Sequence, residues 1–497
     1  MKKRDLLRAA EPLYDDVQLA ELAAAIDFAT EKHAGQKRRS GEAYITHPLS
    51  VALTLVEWGM DIDSVLAGVL HDTIEDTGVS ASDIESFFGR DVAFLVDGVS
   101  KIGKARSGMR DISSYLPSTK DNLTKLLIAV GEDVRVVIIK LADRLHNMQT
   151  LRYMPADKQQ KISRETIEIF APLADRLNMG RVRVQLEELA FSYLDPATYN
   201  SLKQELKNRI GKSERRLKKV RRTVDEALRR ERIAHHMDGR NKSVYSLYKK
   251  LQKVDSIDDI YDLIALRIIV DDIDSCYLVL NVLHTLYEPM VNRIKDYIAR
   301  PKRNGYQSLH TTVVTPDGQH VEFQIRTEQM HDYAERGLAA HFHYNEQKMT
   351  DAYRKGQIAE MPADLAWMID LHEAASELAK GNAIDLDLLK IDLFGDRIFV
   401  FTPRGDIYDL PVGSYPLDFA YRVHGDIGAS AAGFLVNGKM EAFDYKLQDG
   451  DRVEVIVKKT AKPKRQWLDT AATSHARNKI RAQLNRAARE DSALRST

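Results

Sequence analysis

The spacing of apolar side chains changes its period partway along the chain, and that change rules out one uniform architecture. From about residue 19 to residue 194 the period is helical: Leu19, Leu22 and Ile26 recur at turn spacing, and Val134, Val137, Ile138, Leu141, Leu145 and Met148 form a longer stripe. Residues 201–232 continue as a charged helix. After them, residues 263–270, 310–315 and 321–326 read as short β-rich runs with helical pieces between. Residues 391–457 show closely spaced short strands punctuated by Gly and Pro, and residues 459–497, rich in Ala, Arg and Lys, read as helical. At roughly 150 residues per domain, 497 residues suggest three or four cores. The expected divisions are 1–195, a helical connector 196–235, 236–345, a helical linker 346–390, a small β module 391–458 and a basic helical tail 459–497.

Composition excludes several classes. Lys and Arg number 73 against 73 Asp and Glu, so no whole-molecule field argues for nonspecific nucleic-acid binding. The single cysteine, Cys276, excludes an internal disulfide and a Cys-based zinc site, and fits a reducing compartment. The N-terminus turns acidic before any apolar run long enough for a signal peptide, and no stretch reaches membrane-spanning length, so a cytoplasmic protein without a membrane partner is expected.

In the helical half, His47, the pair His71-Asp72 and Asp143 offer imidazole and carboxylate ligands for a divalent transition ion. A lone His on an apolar helix is more often a packed residue, but HDTIEDT adds Glu75 and Asp76. If that segment is one helix, Glu75 lies a turn beyond His71 and Asp76 a turn beyond Asp72, placing four polar groups along one side. Such a row is costly to bury without a purpose. A bound metal would acidify water and polarise a phosphoryl oxygen while a carboxylate positions the water, so phosphoester hydrolysis is the reaction type implied. On the later helix, Asp143, Asn147 and Thr150 share one face beside the stripe of Leu141, Leu145 and Met148.

The α/β half supplies Asp262 and Glu322 with many cations close to an aromatic, Tyr306. Phosphoryl-type transfer needs carboxylates for metal, cations for phosphates and something flat for a base. For any single Lys or Arg a solvated surface position is the blander reading. Alternation puts Phe323 and Ile325 on one face of their strand and Glu322, Gln324 and Arg326 on the other. The turn Thr315-Pro316-Asp317-Gly318-Gln319 predicts a hairpin; a two-residue Asp317-Gly318 turn would set His310 near Ile325, on the apolar side, unless a bulge intervenes.

Three segments, QKRRSGEAYITHP (36–48), HDTIEDT (71–77) and KLADRLHNMQTL (140–151), resemble the HD-type hydrolase domain of RelA/SpoT proteins. The resemblance implies that His47, His71, Asp72 and Asp143 bind Mn2+, that Glu75 and Asp76 serve hydrolysis of a 3′ pyrophosphate, that Arg38 stacks on guanine, and that Asn147 and Thr150 help hold the nucleotide. Ala43 stands where the family commonly has Pro. Four further segments, GRNKSVYSLYKK (239–250), YDLIALRIIV (261–270), KDYIARPKRNGYQSLHTTV (295–313) and VEFQIRT (321–327), resemble in order the synthetase domain of the same family, which transfers pyrophosphate from ATP to the 3′-hydroxyl of GDP or GTP. By that resemblance Asp262 binds Mg2+ and Glu322 assists the attacking hydroxyl. Arg240 and Arg267 sandwich adenine, Lys242, Lys249, Lys302, Arg303 and His310 lie near phosphates, and Tyr306 stacks on guanine. Arg293, Lys295 and Asp296 fit the RxKD form of bifunctional members, whereas AAHFHYN (339–345) departs from the family's AAHW followed by Tyr-Lys.

Residues 391–457 resemble the TGS module, which in ribosome-regulated relatives contacts the tRNA acceptor end through a His at the position of His424. Gly425 and Asp426 replace the usual Thr and Glu after it, and a solvated surface His is nearly as good a reading. Relatives commonly continue into a helical region, a zinc-finger or RRM-like element and an ACT domain, none of which is expected in these residues. The fold expected is therefore multidomain: an all-α HD-type hydrolase domain, an α/β nucleotidyltransferase-like synthetase domain and a small β-grasp TGS domain. The function expected is a bifunctional (p)ppGpp synthetase and hydrolase of the stringent response, with ATP, GDP or GTP and (p)ppGpp as partners and a ribosome or deacylated tRNA reached through TGS. Two alternatives remain open: a metal-dependent hydrolase whose α/β half is a nucleotide-binding regulator, favoured if Asp262 and Glu322 fail to converge, and a non-enzymatic ribosome- or tRNA-binding stress regulator.

Overall fold

A computed structural model describes residues 1–100, 133–252, 254, 264–302, 304–337, 397–458 and 460–495, with side chains for all of these but 210–216, 240, 241 and 487–495. The expectations for Asp262, Arg303, the linker 346–390 and the departure at 339–345 lie outside the described residues.

The first part is mostly helical, as its 3.6-residue period requires. The helix Val134–Gln149 begins at Asp133, whose carboxylate accepts the Arg135 N–H, and buries every member of its predicted stripe, Val134 through Met148. Against it pack the helices Thr46–Trp58 and Arg90–Ser100. The helix Ile62–Leu70 ends just before the segment expected to continue it. The chain breaks its helix at His71-Asp72 before the short helix Thr73–Asp76, and there the carbonyls of Gly68 and Leu70 accept from the His71 imidazole and the Thr73 hydroxyl. The condition of one helix from His71 to Asp76 is met only in part: the helix is interrupted at His71-Asp72, while Asp76 N–H still donates to Asp72 O at 2.9 Å.

The 35-residue charged helix Pro196–Arg230 leads into a mixed sheet. Its strands are β1 (His235–Asn241), β2 (Ile264–Val270), β3 (Glu288–Pro289), β4 (Lys295–Asp296), β5 (Leu309–Val314) and β6 (His320–Thr327), in the order β1-β2-β6-β5-β3, with β4 also paired to β5. β2 and β6 run parallel; the other pairs are antiparallel. Alternation sorts the two faces. Leu266, Ile268, Val270, Phe323, Ile325, Leu309 and Val313 bury one face under the helix Ile273–Leu286 together with Val224 and Leu228. The opposite face carries Asp238, Arg267, His310, Glu322, Gln324 and Arg326.

The hairpin loop differs from the two-residue turn. Thr315 N–H donates to Gln319 O and Gly318 N–H to Thr315 O, with Gly318 at φ +73°, so three residues, 316–318, form the loop. The extra residue shifts the register by one: His310 pairs with Gln324 and Leu309 with Ile325. His310 thus stands on the polar face.

The helical part and the sheet share one compact unit. Main-chain carbonyls take part in their joint. The buried Asn178, at φ +54°, donates its amide to Tyr333 O at 3.0 Å, and Asn304 donates to Asp175 O at 3.1 Å. The helix Glu328–Arg336 ends at Gly337, whose φ of +61° lets the chain pass against residues 177–179.

The described residues from 397 onward belong to a second unit. Strands β7 (Arg397–Phe401) and β8 (Ile407–Pro411) form a hairpin, and β9 (Ala431–Val436), β10 (Lys439–Glu441) and β11 (Val453–Val457) form a sheet in the order β10-β9-β11. Trp467, Ala471, Ala476 and Ile480, from the helices Trp467–Thr470 and Ser474–Arg495 and the link between them, are buried in the same core as Leu417, Phe419, Phe434 and Val453. The buried Asp418 fastens that segment, accepting bonds from Tyr415 N, Ala472 N, and the Thr473 N–H and hydroxyl.

A Cβ on Gly337 would clash with Leu177 O and lie 2.7 Å from both Asn178 C and Met179 N. Gly337→Ala is accordingly expected to destabilise the first unit by at least about 2 kcal/mol, since strained backbone adds to the clash. Chemical denaturation checks this; an unchanged midpoint would show that the two backbones do not touch.

Candidate active sites

The bend at His71-Asp72 and the start of the helix Thr46–Trp58 bring four predicted ligands together. His47, His71 and Asp143, all buried, each offer a ligand atom within 4.8 Å of the others. His47 Nε2 lies 3.3 Å from Asp143 Oδ1 and 3.5 Å from Asp72 Oδ2, while His71 Nε2 lies 3.1 Å from Asp72 Oδ1.

The outer nitrogens decide what the inner ones can do. His71 Nδ1–H donates to Gly68 O at 2.9 Å, and among the described residues its buried Nε2 has no hydrogen-bond partner. His47 Nδ1 sits 2.8 Å from His146 Nδ1. His146 is pushed down to about 3 by burial, by His47 and by Arg38 and so is neutral; because Arg38 Nη1, which can only donate, lies 3.1 Å from the same Nδ1, that nitrogen accepts, leaving His47 Nε2 as a lone pair. Two imidazole lone pairs thus face carboxylate oxygens, an arrangement that repels unless a cation lies between them. Without one, a proton takes its place: burial opposes charging His71, but Asp72 and Asp143 outweigh it and push its pKa up to about 9. Asp143 is held well below the usual carboxylate range; burial works against this, and Lys140 at 2.7 Å with the two imidazoles prevails. The donor set suits a divalent metal, with both histidines oriented from behind as metal-binding imidazoles usually are.

The other predicted residues of this half surround that centre. Arg38 Nη1 is 3.1 Å from His146 Nδ1, and its Nη2 donates to Asn147 Oδ1 (3.4 Å) and the Thr150 hydroxyl (3.3 Å). Asn147 also donates to Asp143. Asp72 and Asp76 come together despite the broken helix, each accepting from the Tyr44 hydroxyl, at 2.9 and 2.7 Å. Glu75 stands open to solvent, and its pKa is raised by partial burial of the carboxyl and by Asp72 and Asp76, against the pull of Lys140. Sequence reasoning missed Tyr44, Lys140 and His146. Their signal was helical or near-helical spacing: Lys140 and His146 stand three residues either side of Asp143, and Tyr44 three before His47.

The second site lies on the polar face of the mixed sheet. Glu322 Oε1 accepts from Gln324 Nε2 at 2.9 Å and lies 3.5 Å from His310 Nδ1. His310 Nε2 is 3.0 Å from the Tyr306 hydroxyl, whose donation would leave the Nδ1 proton for Glu322. Tyr297, Tyr306 and His310 meet edge to face, and Lys302 Nζ lies 4.8 and 5.0 Å from the two tyrosine ring centres. Arg267 pairs with Glu335 (3.2 Å), which also accepts from Arg326 (3.1 Å); Arg326 in turn reaches His331 Nδ1 at 2.7 Å. Glu335 and His331 were also missed. They sit one turn apart on the helix after β6, at the i, i+4 spacing that faces one strand end.

Arg240 occupies the β1 position paired with Ala265, next to Glu322 across β2. Lys242 follows β1. Lys249 is turned elsewhere, pairing with the buried Glu187 at 2.7 Å and lying over the Tyr245 ring. In the second unit His424 is exposed and accepts from Asp426 N at 3.2 Å.

Comparison with known proteins finds three domains in succession. Residues 25–180 match the HD domain, residues 239–349 the region found in RelA / SpoT proteins, and residues 398–457 the TGS domain. The chain is 41% identical over 489 residues to a protein of Mycobacterium leprae named probable GTP pyrophosphokinase, covering 98% of this chain and 61% of that one. It is 42% identical over 477 residues to the bifunctional (p)ppGpp synthase/hydrolase SpoT of Escherichia coli K12, covering 96% and 66%. It is 41% identical over 472 residues to the guanosine-3′,5′-bis(diphosphate) 3′-pyrophosphohydrolase of Aquifex aeolicus, covering 95% and 65%. The chain thus spans between 61% and 66% of the length of these relatives. Among the described residues no helix is long and apolar enough to cross a membrane.

Removing one ligand tests the metal centre directly. His71→Ala is expected to weaken binding of Mn2+, used as an EPR-visible divalent probe, by more than about 100-fold, since even the outer partners of a metal ligand cost 10–100-fold. Unchanged affinity would place the ion elsewhere.

Proposed function

This chain belongs to the RelA/SpoT family, and on that premise we propose that it is a bifunctional alarmone enzyme. In this reading it makes (p)ppGpp by transferring pyrophosphate from ATP to the 3′-hydroxyl of GDP or GTP, and hydrolyses (p)ppGpp back to GDP or GTP and pyrophosphate. The observation that carries the reading is the presence, in one compact unit, of two separate polar centres, each lying in the family domain that fits its chemistry.

For hydrolysis, His47, His71, Asp72 and Asp143 would hold the ion, with Mn2+ as the species we propose. A bound divalent ion supplies Lewis acidity and an acidified water. Asp76, tethered beside Asp72, and the nearby Glu75 would orient that water and accept its proton. Arg38, gathered with Asn147 and Thr150, offers a planar cation for a purine and polar groups for its ribose and phosphates.

For synthesis, Glu322 accepts or orients the attacking 3′-hydroxyl, and His310 keeps its carboxylate aligned. Tyr306, with Lys302 beside its ring, offers a stacking surface for guanine next to a cation for phosphate. Arg267, paired with Glu335, offers the corresponding surface for adenine. Mg2+ at Asp262 completes this proposal. The TGS unit supports contact with a ribosome or tRNA, with His424 exposed for it.

Running both reactions at once would consume ATP in a cycle. Reciprocal control through residues 150–235 follows, and these residues supply the contacts it needs: Asn178 to Tyr333, Glu187 to Lys249 and Glu188 to the Tyr245 amide.

The test is to incubate the chain with ATP, GDP and Mg2+, and separately with ppGpp and Mn2+, following nucleotides by chromatography. Alarmone in the first tube and GDP with pyrophosphate in the second are expected. Asp143→Asn should cut hydrolysis by about 100-fold or more and spare synthesis, and Glu322→Gln should do the reverse. Activity in one tube alone would assign the silent half to regulation, and silence in both would favour a binding protein.

A further inference from the structure

The loop that supplies Arg38 also supplies a residue whose chemistry the assignments above leave unused. Tyr44 N–H donates to Gln36 O at 3.0 Å, Arg38 N–H to Glu42 O at 2.8 Å, and Lys37 bridges Ala43, so the loop closes on itself. The Tyr44 ring stacks on the buried His33, centroids 4.8 Å apart and planes at 25°, and meets His47 edge-on at 6.2 Å. So fixed, its hydroxyl reaches Asp72 Oδ2 and Asp76 Oδ2 at 2.9 and 2.7 Å.

We propose that Tyr44 is a positioning residue for hydrolysis: its hydroxyl clamps the metal-site carboxylate Asp72 to the water-handling carboxylate Asp76. The inference rests on the hydrolase reading above. A phenol has one proton for two acceptors, so it donates to Asp72 and Asp76 in turn and keeps both within reach of a single hydrogen. Asp72 gains a fixed plane. Its Oδ1 stays turned to His71 Nε2 and its Oδ2 lies between His47 and Tyr44.

Asp76 is tied a second time, through its backbone. Gln36 Nε2 donates to Asp76 O at 2.9 Å, and Gln36 Oε1 lies 2.8 Å from His33 Nδ1. One aromatic pair therefore holds both the side chain and the main chain of Asp76, by separate bonds. Asp76 is exposed to solvent, where water would satisfy its carboxylate and a hydrogen bond contributes little to stability. What one tether on the exposed carboxylate and a second on its main chain do supply is a fixed distance to the ion-binding group, the quantity on which water positioning depends.

Tyr44→Phe in the full chain removes the hydroxyl and leaves the stack on His33. With Mn2+ and ppGpp, kcat is expected to fall by about 10- to 100-fold while KM stays within about twofold, because an outer-shell tether is lost and no substrate contact is. Mn2+ affinity, measured by EPR without nucleotide, should weaken by about tenfold as Asp72 loses its restraint. Synthesis from ATP and GDP, in the other domain, serves as the fold control and should be unchanged. Hydrolytic kcat and Mn2+ affinity both within twofold of the parent would overturn the clamp. So would equal losses of hydrolysis and synthesis with a lowered melting temperature, or a rise in KM alone. If the parent chain itself does not hydrolyse ppGpp, the hydrolase reading falls. The Mn2+ arm then decides the clamp alone: weakened affinity keeps Tyr44 as a restraint on Asp72, and unchanged affinity removes it.

Discussion

Two histidine nitrogens aimed at carboxylate oxygens inside a helical core are the constraint around which the first half of this chain is arranged. Like-signed electron pairs at 3.1 to 3.5 Å are tolerable only with a cation among them. The surrounding structure is built to keep that need in place. Gly68 O and His146 hold the outer nitrogens, Lys140 neutralises one side of Asp143, and the helix is broken at His71-Asp72, where side chains bond the Gly68 and Leu70 carbonyls. A helix running straight through HDTIEDT would satisfy its backbone and lose the site.

In the sheet, one residue in a loop plays the comparable part. A two-residue turn at Asp317-Gly318 would set His310 against the apolar core, where an imidazole has no partner. The three-residue loop, permitted by Gly318 at φ +73°, shifts β5 by one position. His310 then joins Glu322, Gln324 and Tyr306 on the polar face. A small conformational preference in a loop thus decides which face carries the chemistry.

Much of this was legible beforehand for physical reasons. The stripe from Val134 to Met148 is long and strictly periodic, so the helix and the side its Asp143, Asn147 and Thr150 occupy followed from spacing. The strands around Ile268 and Ile325 followed from two-residue alternation. What spacing did not carry was anything set by competition between side chain and backbone, as at His71 and Thr73, or by loop geometry, as at Gly318. Partners that act through another residue were also silent. Tyr44, His146 and Glu335 carry ordinary side chains whose meaning appears only once distant segments meet: Arg38 lies 108 residues from His146.

The helix Glu328–Arg336 shows why the two halves are not independent solids. Through Glu335 and His331 it holds the guanidinium groups of Arg267 and Arg326. Through the Tyr333 carbonyl and Gly337 it lies against Asn178 and Leu177 in the helical half. Asn304, two residues before Tyr306, reaches the Asp175 carbonyl of the same loop. Two are hydrogen bonds from side-chain amides to main-chain carbonyls and the third is a close approach of two backbones, so the packed elements shift together more readily than they part. A displacement of residues 175–180 therefore reaches the surroundings of Arg267 and of Tyr306 together. The residues proposed to stack on the two bases of synthesis are thus both braced against this one loop of the helical half.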